Sequence, residues 1–463
     1  MTSLSVSGMI LVLLLLSLSD GVTIEKRSQP YSIELRVIVD SYAFNSWKGY
    51  VASSAAYSAK DAVTKSSLTN YIKSSVNDLN SIFSKLSKSG ISMDARIVSI
   101  EFVTDTITSG STGNAESKTC LKDFKDWLAT KNYPRVDHTM LLTGLDLMTN
   151  GNRATTGVAY TGMMCDTEFS LTAVEALPTG AVTITMAHEL GHSLTSEHDG
   201  DGNTCTTGSY IMKASSEPHS ASNQNFRFSA CSVAYFSTFL TGEKNTCLLQ
   251  TTAGKVNEIS LGQLYNPDQM CQMVEGPQSY VCRSFYGEGK RAYSEICLNV
   301  MCAKPGGSYC RSISSADGFV CGKGKRCSLG DCVAVSSTDS GTDTCPLGDN
   351  PLPQSNLNGQ KCSQAIASKP SHCYQTYNQR VCCQSCQAAK SAKEDCVYGD
   401  RASWCSDLQN YECYVNSEVC CATCVKSKTA VAGCEFGDKA SWCATMDVRN
   451  CPLNSQVCCE KCK

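Results

Sequence analysis

Cysteine follows two regimes along this chain, and that division restricts the available folds more than any other feature. Of 31 cysteines in 463 residues, only Cys120, Cys165, Cys205, Cys231 and Cys247 precede residue 251; the other 26 follow it. The cysteine-poor part must bury an apolar core of its own. The cysteine-dense part has small segments that bury too little surface, so disulfides must replace much of the core there. Such a density is seldom kept in a reducing cytosol unless metals hold the thiols, so an oxidising compartment is expected. The odd total leaves at least one thiol unpaired.

A hydrophobic content of 42% supports two or three domains, and a net charge of −3 with scattered Lys and Arg argues against nucleic-acid or anionic-membrane partners. The one long apolar run, MILVLLLLSL at 9–18, is half the roughly 20 residues of a membrane-spanning helix. It reads as a secretory signal ending near residue 21, followed by a short segment at 22–30 whose Lys26-Arg27 resembles a dibasic processing site. A soluble secreted product is expected, with no membrane span.

From 31 to 250 the pattern alternates between strand-like and helix-like, which makes an α/β domain. Strands are expected at 31–40, 95–103 and 138–147, and a long amphipathic helix at 66–90 with Gly90 as its stop. A disulfide-rich unit is expected at 251–335, with eight cysteines between 271 and 332, then a Ser, Thr, Asp and Gly linker at 336–344. Residues 396–424 and 434–463 repeat every cysteine spacing, and 345–386 is a longer version, giving three six-cysteine modules. Spacing does not choose among the 15 connectivities open to six cysteines. Trp404 and Trp442 share one repeat position, for which common packing is the simpler explanation.

The segment TMAHELGHSLTSEHD carries the chemistry. His188 and His192 are four residues apart, so a helix places both imidazoles on one face, where they can bind one Zn²⁺. His198, beyond a turn, can supply a third nitrogen, and three ligands leave a fourth position open, as a catalytic zinc requires. Glu189, beside the first ligand, can act as general base and then acid. Met212 follows His198 by 14 residues; isolated methionines are usually core filler, and only this distance singles it out. His138 reads as a satisfied strand histidine and His219 as a surface-loop residue.

HELGHSLTSEHD followed by YIM resembles the long zinc signature and Met-turn of the metzincin endopeptidases. IELRVIVD, DHTMLLTGLDL, GVAYTGMMC and CSVAYFSTFLTGEKNTCLLQ narrow the resemblance to reprolysin (adamalysin) catalytic domains, especially those of ADAMTS proteases. LYNPDQMCQMVEGPQSYVC, ICLNVMC and ADGFVCGKGKRCSLGDCV resemble the ADAMTS disintegrin-like and Cys-rich region, and the terminal modules resemble PLAC or, more weakly, ShK-like repeats. The resemblance implies a mostly parallel five-stranded sheet with long helices, followed by small disulfide-rich domains. It implies zinc-dependent hydrolysis of peptide bonds in extracellular proteins, Met212 as the Met-turn residue, and the pairs Cys165–Cys247 and Cys205–Cys231, with Cys120 left over. A buried free thiol is preferred for Cys120 over a bridge to another chain.

The resemblance also implies structural Ca²⁺, with Glu34 and Asp137 at the carboxylate positions and Cys247 at a carbonyl position. Gln250 stands where a further ligand is expected, and a neutral amide lowers the site's charge. Thr195 departs from the Gly or Asn of the signature turn. A β-branched residue resists positive φ, so a differently built turn and a misplaced His198 are expected consequences. The short segment before the first strand has no room for the family's long prodomain. Two other readings follow: a binding protein on a catalytically impaired protease fold, and a toxin-like or channel-binding effector acting through the repeats. Under the leading reading, the Cys-rich modules dock matrix or cell-surface proteins.

Overall fold

The structure, a computed structural model, describes residues 30–51, 59–108, 113–215, 222–251, 253–256, 258–287, 289–306, 309–335 and 345–463. The leader, Lys26-Arg27, the linker at 336–344 and His219 lie outside these residues. Among the described residues, no helix is long and apolar enough to cross a membrane.

The first strand, β1 (Pro30–Val39), leads through α1 (Ser41–Val51) and α2 (Lys60–Ser84) to β2 (Ser92–Phe102). Then come β3 (Asn114–Glu116), α3 (Ser117–Ala129), β4 (His138–Thr143), β5 (Asp146–Met148), β6 (Gly157–Ala159), β7 (Leu171–Glu175), α4 (Ala181–Ser193) and α5 (Ala230–Thr241). The main sheet has the order β2-β1-β4-β7-β6; every pairing is parallel except β6 with β7. This is the expected mostly parallel five-stranded sheet, with one antiparallel edge.

Both faces of the sheet are covered, which is why the inner strands are apolar along their length. Ile33, Leu35, Val37 and Val39 of β1 pack with Leu68, Ile72, Val76, Leu79 and Phe83 of α2 and with Met186 and Leu190 of α4. Ile38, Leu141 and Ala173 face the other way, onto Leu121 and Phe124 of α3. The long helix starts at Lys60 rather than 66, and its last residues tighten into a 3-10 turn before Gly90, which takes φ 79°. The strand expected at 138–147 is divided between two sheets. Gly144 passes so close to the Tyr42–Ala43 backbone that a Cβ would lie 2.3 Å from the Tyr42 carbonyl carbon, and the chain bends there.

Cys165–Cys247 and Cys205–Cys231 are bonded as the resemblance implied. Cys120 is a free cysteine on the buried face of α3, and burial pushes its thiol up to about 12. It is thus protonated, inert and shielded from any second chain.

The disulfide-rich unit that follows is riveted to the α/β domain. It opens with α6 (Leu261–Leu264) and α7 (Pro267–Glu275), and four disulfides close it: Cys271–Cys302, Cys282–Cys310, Cys297–Cys327 and Cys321–Cys332. The Leu261 amide donates to Asp78 Oδ2 of α2 at 2.9 Å. At the entrance to α4, a Cβ on Gly180 would lie 1.7 Å from the Ser315 carbonyl oxygen, so the two backbones meet directly.

The three modules share one connectivity, first cysteine to fifth, second to fourth and third to sixth. They also share a joint. The Tyr374 hydroxyl donates to the Gly399 carbonyl and the Tyr414 hydroxyl to the Gly437 carbonyl, each at 2.8 Å. Tyr398 and Phe436 meet those tyrosines edge-on, with ring centroids 5.3 and 5.2 Å apart. At the first joint Arg283 of the Cys-rich domain takes the tyrosine's place, donating to the Leu347 and Gly348 carbonyls. The third module has Pro452 where the others have tyrosine, so it has no hydroxyl donor at that position. Trp404 and Trp442 are each 47% exposed, so their common position is a surface position, contrary to the packing explanation.

Asp78 and Asp317 are 3% and 8% exposed where the Cys-rich domain meets α2. Burial, then the charge of Asp317, drives the Asp78 carboxyl well up, and burial raises Asp317 to about 7. The folded state therefore holds protons that the unfolded chain has released above the ordinary carboxylate range. Their contribution is complete in acid and is lost as pH rises through about 7. Thermal stability is thus expected to fall between pH 5 and 8. Asp317→Asn, which keeps an acceptor for the Leu329 amide, should flatten that fall in scanning calorimetry; an unchanged slope would contradict it.

Candidate metal centre and catalytic site

Helix α4 is buried on most of its surface, and its polar residues cluster near its C-terminal half. The i, i+4 spacing brings the Nε2 atoms of His188 and His192 to 3.1 Å, and the turn after α4 returns His198 to 3.3 and 3.2 Å from them. Among the described residues the three form one of two metal-competent groups; the other consists of disulfide-bonded cysteines.

Hydrogen bonding fixes the direction of two rings. His188 Nδ1 donates to the Ile211 carbonyl at 2.7 Å and His192 Nδ1 to the Ser196 carbonyl at 2.8 Å. Because a carbonyl only accepts, each Nδ1 bears the hydrogen and each Nε2 a lone pair. Burial lowers His188 to about 3 and His192 to about 4, which favours the neutral form a ligand needs. Lone pairs held this close repel unless a cation lies among them. Tetrahedral Zn–N bonds of about 2.0 to 2.1 Å place ligand nitrogens about 3.3 to 3.4 Å apart, which the observed spacing nearly matches. The donor set therefore fits zinc.

Glu189 is 4% exposed, and burial pushes its carboxyl up to about 8. Its Oε2 is buried without a hydrogen-bond partner. That oxygen is thus kept free of permanent donors, on the residue that follows the first histidine of the triad.

The turn after α4 corrects one expectation. Thr195 adopts φ 73° despite its branched side chain, and His198 is in place. The Thr195 amide donates to the His192 carbonyl at 2.9 Å and its hydroxyl to the Tyr235 carbonyl of α5 at 3.3 Å. Those two bonds offset the roughly 1–2 kcal/mol cost of the left-handed conformation. Met212 is fully buried beneath the helix; a Cβ on Gly191 would lie 2.6 Å from its sulfur. The Met212 carbonyl accepts from the amide of Asp199, and Asp199 Oδ1 accepts from Ser229 Oγ at 2.5 Å. Asp199 was not singled out from sequence, although it adjoins the third histidine.

Away from this centre, Asp137 Oδ2 accepts from the Glu34 amide at 2.8 Å, so the two carboxylates adjoin. Glu34 Oε1 already accepts from Thr251 Oγ1 and the Ala253 amide, and Gln250 is exposed. Cys247 is bonded to Cys165, which leaves only its carbonyl as an oxygen donor. Burial, opposed by the Glu34 amide and aided by the Glu34 charge, raises Asp137 to about 6. His138 is buried between Ser170 Oγ and Thr172 Oγ1, the satisfied strand histidine expected of it.

Residues 32–252 match the reprolysin (M12B) family of zinc metalloproteases and residues 261–333 match ADAMTS cysteine-rich domain 2. The chain is 29% identical over 248 residues to "A disintegrin and metalloproteinase with thrombospondin motifs 6" of Homo sapiens, covering 51% of this chain and 21% of that protein. It is 30% identical over 284 residues to "A disintegrin and metalloproteinase with thrombospondin motifs 18" of Mus musculus, covering 58% and 22%. The chain thus spans about a fifth of the length of these relatives. Among solved structures, metalloproteinase-II from Bacteroides fragilis is a loose likeness, with 15% identity, a TM-score of 0.31, and coverage of 49% of this chain and 55% of that one. A zinc-fitting histidine triad on a mostly parallel α/β sheet and two adjoining family matches have one meaning: over residues 32–252 the chain belongs to the reprolysin (M12B) zinc metalloproteases, and with its ADAMTS cysteine-rich domain it is an ADAMTS-like metzincin.

Proposed function

We propose that the chain is a secreted zinc endopeptidase that hydrolyses peptide bonds of extracellular proteins, its Cys-rich domain and modules serving as docking exosites. The observation that carries this reading is the convergence of three Nε2 atoms within 3.3 Å on a helix whose Glu189, next in sequence to His188, has a carboxyl oxygen buried without a partner. Bound zinc supplies a Lewis acid for the scissile carbonyl and the attacking water. His188, His192 and His198 hold it, and the Ile211 and Ser196 carbonyls hold two of those rings in register. Glu189 accepts the water's proton on a carboxylate oxygen and delivers it to the leaving amine. Among the described residues, edge strand β6 pairs only with β7, so its other side can add a substrate strand antiparallel or parallel to it above α4. Secretion is supported by fifteen disulfides among the described residues, a number suited to an oxidising compartment. The exposed Trp404 and Trp442 support a docking role for the modules.

With a quenched peptide library, a chelator is expected to abolish hydrolysis and zinc to restore it. Glu189→Gln should lower kcat/KM by about 10²–10⁴-fold, the usual worth of a general base, with zinc content unchanged. Equal activity of mutant and wild type would sink the reading. The impaired-fold alternative rests on Thr195 and on the lack of room for a long prodomain, and paired substitutions address the first. Thr195→Gly exchanges strain for a lost hydroxyl bond and should leave stability within about 1 kcal/mol. Thr195→Val keeps the strain without the bond, and should lose about 1–2 kcal/mol along with zinc affinity, measured by competition with a chromogenic chelator. Calcium is proposed at Glu34, Asp137 and the Cys247 carbonyl, where it must compete with the donors from Thr251 and Ala253. Added Ca²⁺ should raise Tm in the wild type and not in Asp137→Asn; no rise in either leaves those protein donors as the site's permanent occupants.

A further inference from the structure

The ligands of the metal centre are aimed by hydrogen bonds, whereas no donor among the described residues reaches Glu189 Oε2. Something other than hydrogen bonding must then hold the carboxylate in place. The Glu189 side chain and the Thr185 side chain, one turn earlier on α4, both lie against β6 at Gly157. A Cβ on Gly157 would lie 2.6 Å from Glu189 Oε1, 2.8 Å from Glu189 Cγ and 2.8 Å from Thr185 Cγ2. Thr185 is itself anchored, because its hydroxyl bonds that of Thr156 at 3.1 Å. Gly157 is anchored too, through its pairing with Val174 of β7.

We propose that Gly157 is a positioning residue for Glu189: the missing side chain at this one place on β6 makes room for the carboxylate, and the backbone of β6 with the Thr185 methyl forms the wall against which it rests. This rests on the endopeptidase reading, in which Glu189 is the general base. A new Cβ would collide with Glu189 at both Oε1 and Cγ and with the Thr185 methyl; with Thr185 held by its bond to Thr156, the Glu189 side chain must take up most of the shift. Relief of the 2.6 Å contact to an ordinary van der Waals distance requires a shift of somewhat under about 1 Å, and misplacement of that size costs about 10²-fold in rate. Gly157 does not have positive φ, so alanine can adopt its backbone conformation and the strand gains from lower unfolded-state entropy. The added methyl also overpacks the space between β6 and α4, so zinc stoichiometry and the position of the carboxylate, not activity alone, distinguish a displaced base from a disturbed fold.

The test is Gly157→Ala in the full chain. Expected results are a fall in kcat of about 10²-fold with KM within twofold, while zinc stoichiometry and cooperative unfolding are retained, with Tm lowered by the overpacking. In a Glu189→Asp background, whose shorter side chain no longer reaches the wall, the same substitution should cost less than threefold. A crystal structure of Gly157→Ala should show the Glu189 carboxylate displaced from β6, with or without metal. Unchanged kcat, a rise in KM alone, an equal loss in the Glu189→Asp background, or an unmoved carboxylate would each overturn the proposal. Should the wild type itself be inert, the endopeptidase reading fails, and the crystal structure still decides whether Gly157 sets the position of Glu189.

Discussion

Three imidazole nitrogens within 3.3 Å of one another form an arrangement that repels itself until a cation joins it, and much of the catalytic domain serves to hold it. Two of the rings are tied through Nδ1 to carbonyls, one local to the turn and one 23 residues away at Ile211. Ile211 precedes Met212, whose sulfur packs where Gly191 has no side chain. The turn to His198 keeps a left-handed threonine by bonding it to α5. Each tie transfers the cost of convergence to the apolar core, where α4 is packed on α2 and the sheet. Neutral, buried imidazoles meet the requirement of a ligand before any metal arrives.

Glu189, the proposed base, is held on a different principle. A ligand needs a fixed lone-pair direction, which a permanent hydrogen bond on the opposite nitrogen secures. A group that takes and returns a proton is better left without permanent donors, since these would stabilise its ionised form and weaken it as a base. Glu189 fits this: its Oε2 is unpartnered, and it is enclosed by a strand backbone and a methyl group. Shape sets its place and burial sets its basicity.

Beyond the cleft, the fold is extended by joints of one design. The Cys-rich domain closes on the entrance of α4 at Gly180 and on α2 at Asp78, so it braces the helix that carries the histidines. Arg283, Tyr374 and Tyr414 then fix three successive modules by donating to carbonyls at equivalent positions. Disulfides give each module its core, while these bonds and the edge-on rings set its orientation relative to the module before it. The exposed tryptophans are thereby carried on surfaces whose relation to the preceding modules is fixed.

What could be read from the sequence was local or periodic. Two histidines four residues apart on a helix share a face whatever surrounds them, the apolar repeat of α2 has one amphipathic solution, and the six-cysteine spacing recurs visibly. Tertiary structure decided whatever depended on segments far apart in the chain. Local preference spoke against positive φ at Thr195, and two hydrogen bonds overrode it. The strand expected at 138–147 is broken by the backbone of Tyr42, about a hundred residues earlier in the chain. One of 15 connectivities was selected in every module, and the Asp78–Asp317 and Gly157–Glu189 encounters have no trace in the spacing of their residues. The reason is physical: helical periodicity and ligand spacing follow from bond geometry over a few residues, whereas contacts between distant segments exist only once the whole core has packed and brought their backbones together.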